Sequence, residues 1–258
     1  MRCSHAFFDI DNTLTDNRTN TVPASLREAL ALLEGHGIRS SIATGRSLDG
    51  IPEEVRTLYP WFSYVTYNGQ LVYDGEGKLL RSQYVPQRAA LEAMRIADVT
   101  PTTLEIKTDE RIYRYNEMYP WYRETYRYFN MEPWEQGSYS PDDHVIALMA
   151  SREADASYDD LAAIDGLSVF PTQHCYADIN LDGASKFSGI RFLQQHYGFD
   201  AYMAFGDSEN DRSMLEHAEL SIAMGDASVA IKALCDLVTG PAGEDGILHA
   251  VEMICSMV

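Results

Sequence analysis

The chain has 258 residues, 45% hydrophobic and 23% charged, enough apolar material for a folded core, which excludes intrinsic disorder. Its 20 Lys and Arg against 39 Asp and Glu give 20 − 39 = −19, which argues against a grip on nucleic acid or an anionic membrane surface, but not against a small phosphorylated ligand held by local cations. At roughly 150 residues per domain, the length allows one or two domains.

Residues 5–10 (HAFFDI) form a short apolar run ending in acid, read as a strand, and residues 12–22 are polar with turn-forming Asn and Asp. Pro23 opens a helical pattern with Leu26, Leu30 and Leu33 on one face, and Gly35 and Gly37 stop it. Strands are expected at 38–43 and 63–67, with a helix over 47–58 whose start Pro52 blurs. This strand–helix alternation implies right-handed crossovers and a parallel sheet. Residues 70–84 read as a hairpin turning at Asp74-Gly75-Glu76-Gly77.

The middle differs. A helix is expected over 87–97, strands at 103–108, 111–115, 144–150 and 167–170, and a helix between the last two. From 113 to 139, 10 of 27 residues are aromatic. Stacking on a sugar or heteroaromatic ring is one reading of that density, but packing, including a helix face of Tyr119, Tyr122 and Tyr126, is favoured. After this module the alternation resumes, with helices at 185–197, 209–217, 227–234 and 244–256 and strands at 201–205, 220–224 and 236–239. The expected fold is α/β, a doubly wound Rossmann-like parallel sheet formed by residues 1–85 and 179–258, interrupted by an inserted α+β module over 86–178.

The spacings of Cys3, Cys175, Cys235 and Cys255 make no CxxC pair and no zinc pattern, so a reducing cytoplasm is the expected setting. The apolar stretch near the N-terminus is too short for a signal peptide or anchor. The longest apolar run, Val145 to Ala150, is far below the ~18 residues of a membrane span.

Four features fall at predicted strand ends or helix starts, where open α/β sheets bind ligands: Asp9-Ile10-Asp11-Asn12-Thr13, Thr44-Gly45-Arg46, Lys186, and Gly206 to Asp211. Two carboxylates one residue apart after an apolar strand are costly unless neutralised. Asp9, Asp11 and Asp207 offer hard oxygen ligands without His or Cys, a donor set suited to Mg²⁺. Each feature alone has a plainer explanation. Asp9 to Thr13 can be an Asx turn, Thr44 a helix cap, Lys186 a solvated lysine, and Asp207 and Asp211 a cap with a first-turn acid. Arg46 is as readily a surface arginine as a substrate or phosphate contact, and Thr13 reads as ordering its loop.

Together, FFDIDNTLTD (7–16), SIATGR (41–46), SKFSGIRFL (185–193) and GDSENDRSML (206–215) resemble the haloacid dehalogenase-like hydrolases, and within them the Cof-type phosphatases. Weaker matches are YNG (67–69), IAMGDAS (222–228) and GEDGI (243–247), and the likeness covers both ends of the chain. The resemblance implies that Asp9 is a nucleophile forming an aspartyl-phosphate and Asp11 a general acid and base that also offers its carbonyl to the metal. Asp9, Asp11, Asp207 and Asp211 are the implied metal group, Asp211 as a ligand or a support. Thr44, Lys186 and Asn210 are the implied phosphate contacts, helped by backbone near Ile10 and Gly45, and Arg46 and Asn68 are candidates for the substrate. The insertion over 86–178 is the implied substrate-selecting cap.

The expected activity is Mg²⁺-dependent hydrolysis of small phosphorylated metabolites, sugar phosphates first. A phosphomutase or other phosphotransferase on sugar phosphates, a signalling receiver and a catalytically silent ligand-binding protein are the alternatives. A monomer or weak dimer is expected, with neither nucleic acid nor membrane as partner.

Overall fold

In the computed structural model, which describes residues 3–19, 21–128, 131–172 and 174–256, the chain divides into two units, Met1–Ser82 with Ala184–Val258, and Gln83–Gly183. The insertion read from the sequence, 86–178, lies inside the second of these. The first unit begins with β1 (His5–Phe8), α1 (Leu26–Gly35), β2 (Arg39–Ala43), α2 (Glu53–Leu58), β3 (Ser63–Thr66), β4 (Leu71–Asp74) and β5 (Leu79–Ser82). The second unit holds α3 (Gln87–Val99), β6 (Thr103–Thr108), β7 (Ile112–Arg114), α4 (Pro120–Tyr128), β8 (Val145–Ser151), α5 (Asp159–Ala162), β9 (Leu167–Pro171) and β10 (Tyr176–Leu181). The chain then returns to the first unit through α6 (Lys186–Tyr197), β11 (Tyr202–Gly206), α7 (Arg212–Glu216), β12 (Leu220–Ala223), α8 (Val229–Leu234), β13 (Leu237–Val238) and α9 (Gly246–Cys255).

The sheet of the first unit runs β13-β12-β11-β1-β2-β3-β4-β5, parallel except for β4 and β5. Strand order reverses direction at β1, the position where doubly wound sheets open a crevice at their carboxyl ends. Burial on both faces explains why β1 reads as a continuous apolar run. Phe8 packs with Leu26, Leu30 and Leu33 of α1 and Val251 of α9, whereas Phe7 packs with Ile190 and Leu193 of α6 and Met214 of α7. The period-two alternation of a strand thus sends neighbouring phenylalanines into two cores. The fold is the expected α/β one, a Rossmann-like core with a large insertion.

The second unit has a five-stranded antiparallel sheet in the order β7-β6-β8-β10-β9. Leu104, Ile106, Leu148 and Ile179 pack with Ala90 and Met94 of α3 and Leu161 of α5 on one face. Tyr122 and Tyr126 of α4 pack with Met149 on the other. Both phenols donate to the buried carboxylate of Glu105, Tyr122 at 3.1 Å, and Lys107 pairs with the same residue at 3.6 Å. These two aromatics therefore serve the interior, while Tyr119 stacks on Trp121 with centroids 4.9 Å apart. Phe129 and the side chain of Tyr128, part of the same aromatic segment, lie outside the described residues.

Local chemistry explains where expected and observed elements differ. The helix expected over 47–58 begins only at Glu53, because Pro52 is extended (ψ 135°) and its ring disfavours α geometry in the residue before it. The helix expected over 209–217 is a 3-10 turn, Glu209–Asp211, leading into α7. The strand β10 was not anticipated. Its Ala177 and Ile179 carry the core side and alternate with Asp178 and Asn180, the pattern of a half-buried strand, so the signal is present in the sequence.

Candidate active site

Asp9 follows β1 directly, and its backbone N–H donates to Phe205 O at 3.1 Å, which ties the end of β1 to β11. Lys186 is the first residue of α6. Ser185 caps that helix reciprocally with Ser188, fixing where it starts. From there the Lys186 side chain, fully out of solvent, donates to Asp9 Oδ1 and Asp211 Oδ1, each at 2.6 Å. Burial alone depresses the lysine pKa, but Asp211 and Asp9 more than offset it and the net shift is upward.

The helix start is held by a close approach. Tyr67, Asn68 and Gly69 all have positive φ (47°, 51° and 96°), and this turn follows β3. A Cβ on Gly69 would lie 2.0 Å from Ser185 O, so only glycine lets the turn press against the N-terminus of α6. Gly206, which ends β11, serves likewise: a Cβ there would lie 2.7 Å from Asp211 Cβ and Cγ.

Asp211 is completely engaged. Oδ1 accepts from Lys186, while Oδ2 accepts from the backbone N–H groups of Asp207 and Ser208, both at 3.0 Å. Asp207, following β11, accepts from Asn12 Nδ2 at 3.3 Å on Oδ2. Asp9 Oδ2 and Asp207 Oδ1 receive no hydrogen bond from the described residues. Carboxylate oxygens of Asp9, Asp207 and Asp211 lie within 4.8 Å of one another, and all three residues are buried. Burial first, then the Asp211 charge, pushes the Asp9 carboxyl well above the ordinary range and Asp207 up to about 7. One ammonium thus faces three buried carboxylates, so the donor set suits a hard divalent cation.

Asp11 points elsewhere. Its two oxygens are taken by Arg46, Nε to Oδ2 at 2.9 Å and Nη2 to Oδ1 at 2.6 Å. The sequence offered Arg46 as a substrate or surface residue, and here its partner is Asp11. Ile10 is buried, and its carbonyl accepts from the backbone N–H groups of Thr13 and Thr15 and from Thr15 Oγ1, which curls the loop after Asp9. Thr13 contributes to that curl through its backbone, since its buried Oγ1 has no partner among the described residues.

Thr44 follows β2, buried, with Oγ1 accepting from Arg46 N at 3.1 Å. Asn210 Nδ2 donates to Asn68 Oδ1 at 3.2 Å, and a Cβ placed on Gly45 would come within 3.3 Å of Asn68 and 3.6 Å of Asn210. Gly45, Asn68 and Asn210 therefore form one cradle.

Sequence reasoning named neither Asn12 nor Ser208 as functional. Asn12 adopts the left-handed conformation (φ 55°) that asparagine tolerates. Ser208 has an ordinary capping signature, with Asp211 three residues later completing the box.

The sequence pattern of the haloacid dehalogenase-like hydrolases matches residues 6–251. The Bacillus subtilis (strain 168) protein named "Putative phosphatase YkrA" is 29% identical over 254 residues, covering 95% of each chain. Among solved structures, the HAD subclass IIB sugar phosphatase BT4131 superposes with a TM-score of 0.83 at 27% identity, covering 97% of this chain and 98% of its own. BT1666 from Bacteroides thetaiotaomicron shares the fold at a TM-score of 0.87 and 23% identity, over 99% of this chain and 96% of its own. The chain therefore belongs to the haloacid dehalogenase-like hydrolases and is a phosphatase.

Proposed function

We propose that the protein is a Mg²⁺-dependent phosphatase of small phosphorylated metabolites, sugar phosphates above all, acting through an aspartyl-phosphate on Asp9. The observation that carries this reading is the buried carboxylate of Asp9, held on one oxygen by Lys186 and unengaged on the other, beside Asp207. BT4131, named a sugar phosphatase, supports the choice of substrate class.

Asp9 and Asp207 would hold Mg²⁺ through their unengaged oxygens, with the Asp11 carbonyl as a further donor. When bound, the ion stabilises charge on the transferring phosphoryl group. Asp211, saturated by Lys186 and the 207–208 backbone, acts by fixing both rather than as a ligand. Lys186 screens the Asp9 carboxylate from an incoming dianion, and Thr44, Asn210 and amides near Ile10 and Gly45 orient its oxygens. An Asp9 oxygen attacks phosphorus as the ester P–O bond breaks, and Asp11, once released from Arg46 and protonated, gives its proton to the departing alkoxide. Asp11, now a carboxylate, takes a proton from the water that attacks the phosphoryl group. The Asp9–phosphate bond then breaks, regenerating the enzyme and releasing phosphate. Asn68 stands next to this cradle as a leaving-group contact.

We read Gln83–Gly183 as the cap that selects the leaving group. Among the described residues no helix is long and apolar enough to cross a membrane. All four cysteines are free thiols, which favours a reducing cytoplasm.

The test is hydrolysis of a panel of phosphorylated metabolites with Mg²⁺, alongside EDTA and Asp9→Asn. Activity that needs the metal, disappears in Asp9→Asn and peaks on sugar phosphates is expected. Activity that survives EDTA, or survives Asp9→Asn, overturns the mechanism.

A further inference from the structure

The three buried carboxylates differ in how much of each is left for a metal. Lys186 takes one oxygen of Asp9, and Lys186 with the 207–208 backbone takes both of Asp211. Asp207 Oδ2 accepts from Asn12 Nδ2 at 3.3 Å, which leaves Asp207 a single oxygen as well. Among the described residues, the cluster therefore offers one oxygen from Asp9 and one from Asp207, and no carboxylate with both oxygens open.

The contact from Asn12 is held by its surroundings. Asn12 is a left-handed residue (φ 55°) in the loop after β1. On one side of it, the Ile10 carbonyl accepts from Thr13 N–H at 3.2 Å and Thr15 N–H at 2.9 Å. On the other side, Arg46 grips Asp11 through both carboxylate oxygens. An ionised carboxylate only accepts hydrogen bonds, so the amide turns its nitrogen toward Asp207. The two residues stand 195 positions apart and meet because β1 pairs with β11.

A hydrogen bond on one oxygen decides how many oxygens a carboxylate gives to a metal. Mg²⁺ demands near-octahedral geometry, keeps several waters and is held by few carboxylates. Ca²⁺ gathers more oxygens in looser geometry and accepts both from one carboxylate. A donor fixed on Oδ2 suits the first ion and obstructs the second.

We propose that Asn12 is a positioning residue that, acting through Asp207, keeps this carboxylate a one-oxygen ligand and so biases the site toward Mg²⁺ and against Ca²⁺. This rests on the metal reading above and deepens it, adding a residue and a selectivity to it.

The experiment is calorimetric titration of the metal-free protein with MgCl₂ and, separately, CaCl₂, for wild type, Asn12→Gly, Asn12→Ala and Asp207→Asn, with thermal melts of the same samples. Glycine adopts a φ of 55° without strain and has no amide side chain; alanine also lacks the amide but keeps a Cβ. In both Asn12 variants the Kd for Mg²⁺ should rise roughly 10-fold, as it does when a partner of a ligating carboxylate is removed. The Kd for Ca²⁺ should stay within about 2-fold or fall. The rise in Tm given by a fixed concentration of Mg²⁺ should shrink, and that given by Ca²⁺ should not.

Equal weakening of both ions, which a loosened loop would produce, overturns the proposal. So does an unchanged ratio of the two constants, or a ratio that changes in Asn12→Gly and not in Asn12→Ala. If Asp207→Asn loses Mg²⁺ while Asn12→Gly keeps the wild-type ratio, only the role of Asn12 falls. If wild type takes up no Mg²⁺, or Asp207→Asn binds it as wild type does, the metal reading falls and takes this proposal with it.

Discussion

Lys186 Nζ lies 2.6 Å from Asp9 Oδ1, and both side chains are buried. The same nitrogen is 2.6 Å from Asp211 Oδ1, so one ammonium compensates two desolvated acids. Lys186→Met leaves both uncompensated. The expected cost is about 3–5 kcal/mol of stability. Activity should fall by at least about 100-fold on the proposed mechanism, in which this charge meets the phosphoryl oxygens. Urea unfolding and turnover measure the two effects, and a methionine variant as stable as wild type would contradict the pairing.

Asp207 sits at the opposite extreme, with its carboxyl pushed up to about 7 by burial and the neighbouring Asp211 charge. A carboxylate so placed destabilises the metal-free fold at neutral pH. Asp207→Asn should raise the stability of the metal-free protein by roughly 1–2 kcal/mol while abolishing activity. Wild type should gain about 2.7 kcal/mol from Mg²⁺ at 100 times its Kd, and the variant almost none. Thermal melts with and without Mg²⁺ provide the check; an equal Mg²⁺ response in both proteins would remove Asp207 from the metal site.

Gly206→Ala tests the closeness of β11 to Asp211. The added methyl would sit 2.7 Å from Asp211 Cβ and 2.8 Å from Oδ2. Asp211 must then shift, losing its grip on Lys186 and on the 207–208 backbone. A loss of about 2–3 kcal/mol with a fall in kcat is expected. Gly35→Ala, where nothing lies within 4 Å, is the matched control and should be neutral or stabilising by up to about 1 kcal/mol.

His5 predicts an acid limb unrelated to chemistry. It is 5% exposed, stacked on Phe199 with centroids 3.7 Å apart, and its Nε2 has no partner among the described residues. Burial, and secondarily Arg39, lowers its pKa to about 4 from an ordinary 6.5. The folded state therefore binds this proton less readily than the unfolded state. The contribution is whole above pH 6.5, erodes as pH falls, and is exhausted below about 4. It amounts to on the order of 3 kcal/mol. His5→Phe should flatten the stability profile between these limits; an unchanged slope would exclude His5 as its source.

Much of this was legible because the chemistry sits in short chain segments. Asp9, Thr44, Asp207 and Lys186 each adjoin an apolar strand or a helix cap, so local pattern located them. The partners of Arg46 and Asp211 were not legible. Arg46 lies 35 positions from Asp11 in sequence, and only the sheet order brings the ends of β1 and β2 together. That both Asp211 oxygens are engaged, by Lys186 and by the 207–208 backbone, is likewise visible only in the structure. The strand β10 is legible but absent from the sequence reading: Ala177, Ile179 and Leu181 alternating with Asp178 and Asn180 are the period-two pattern of a half-buried strand.

Arg81, one residue from the end of β5, donates to Ser188 O in the first turn of α6 at 2.6 Å. The points where the chain leaves the first unit, after Ser82, and re-enters it, at Ala184, are therefore neighbours. A folded segment whose ends meet imposes little loop-closure cost on its host, and that cost grows only slowly with length. The pairing of β1 with β11, which brings Asp9 and Asp207 together, thus does not depend on which module occupies the gap. The insertion is in that sense modular: another module with adjacent ends could fill the gap without disturbing the pairing of β1 with β11.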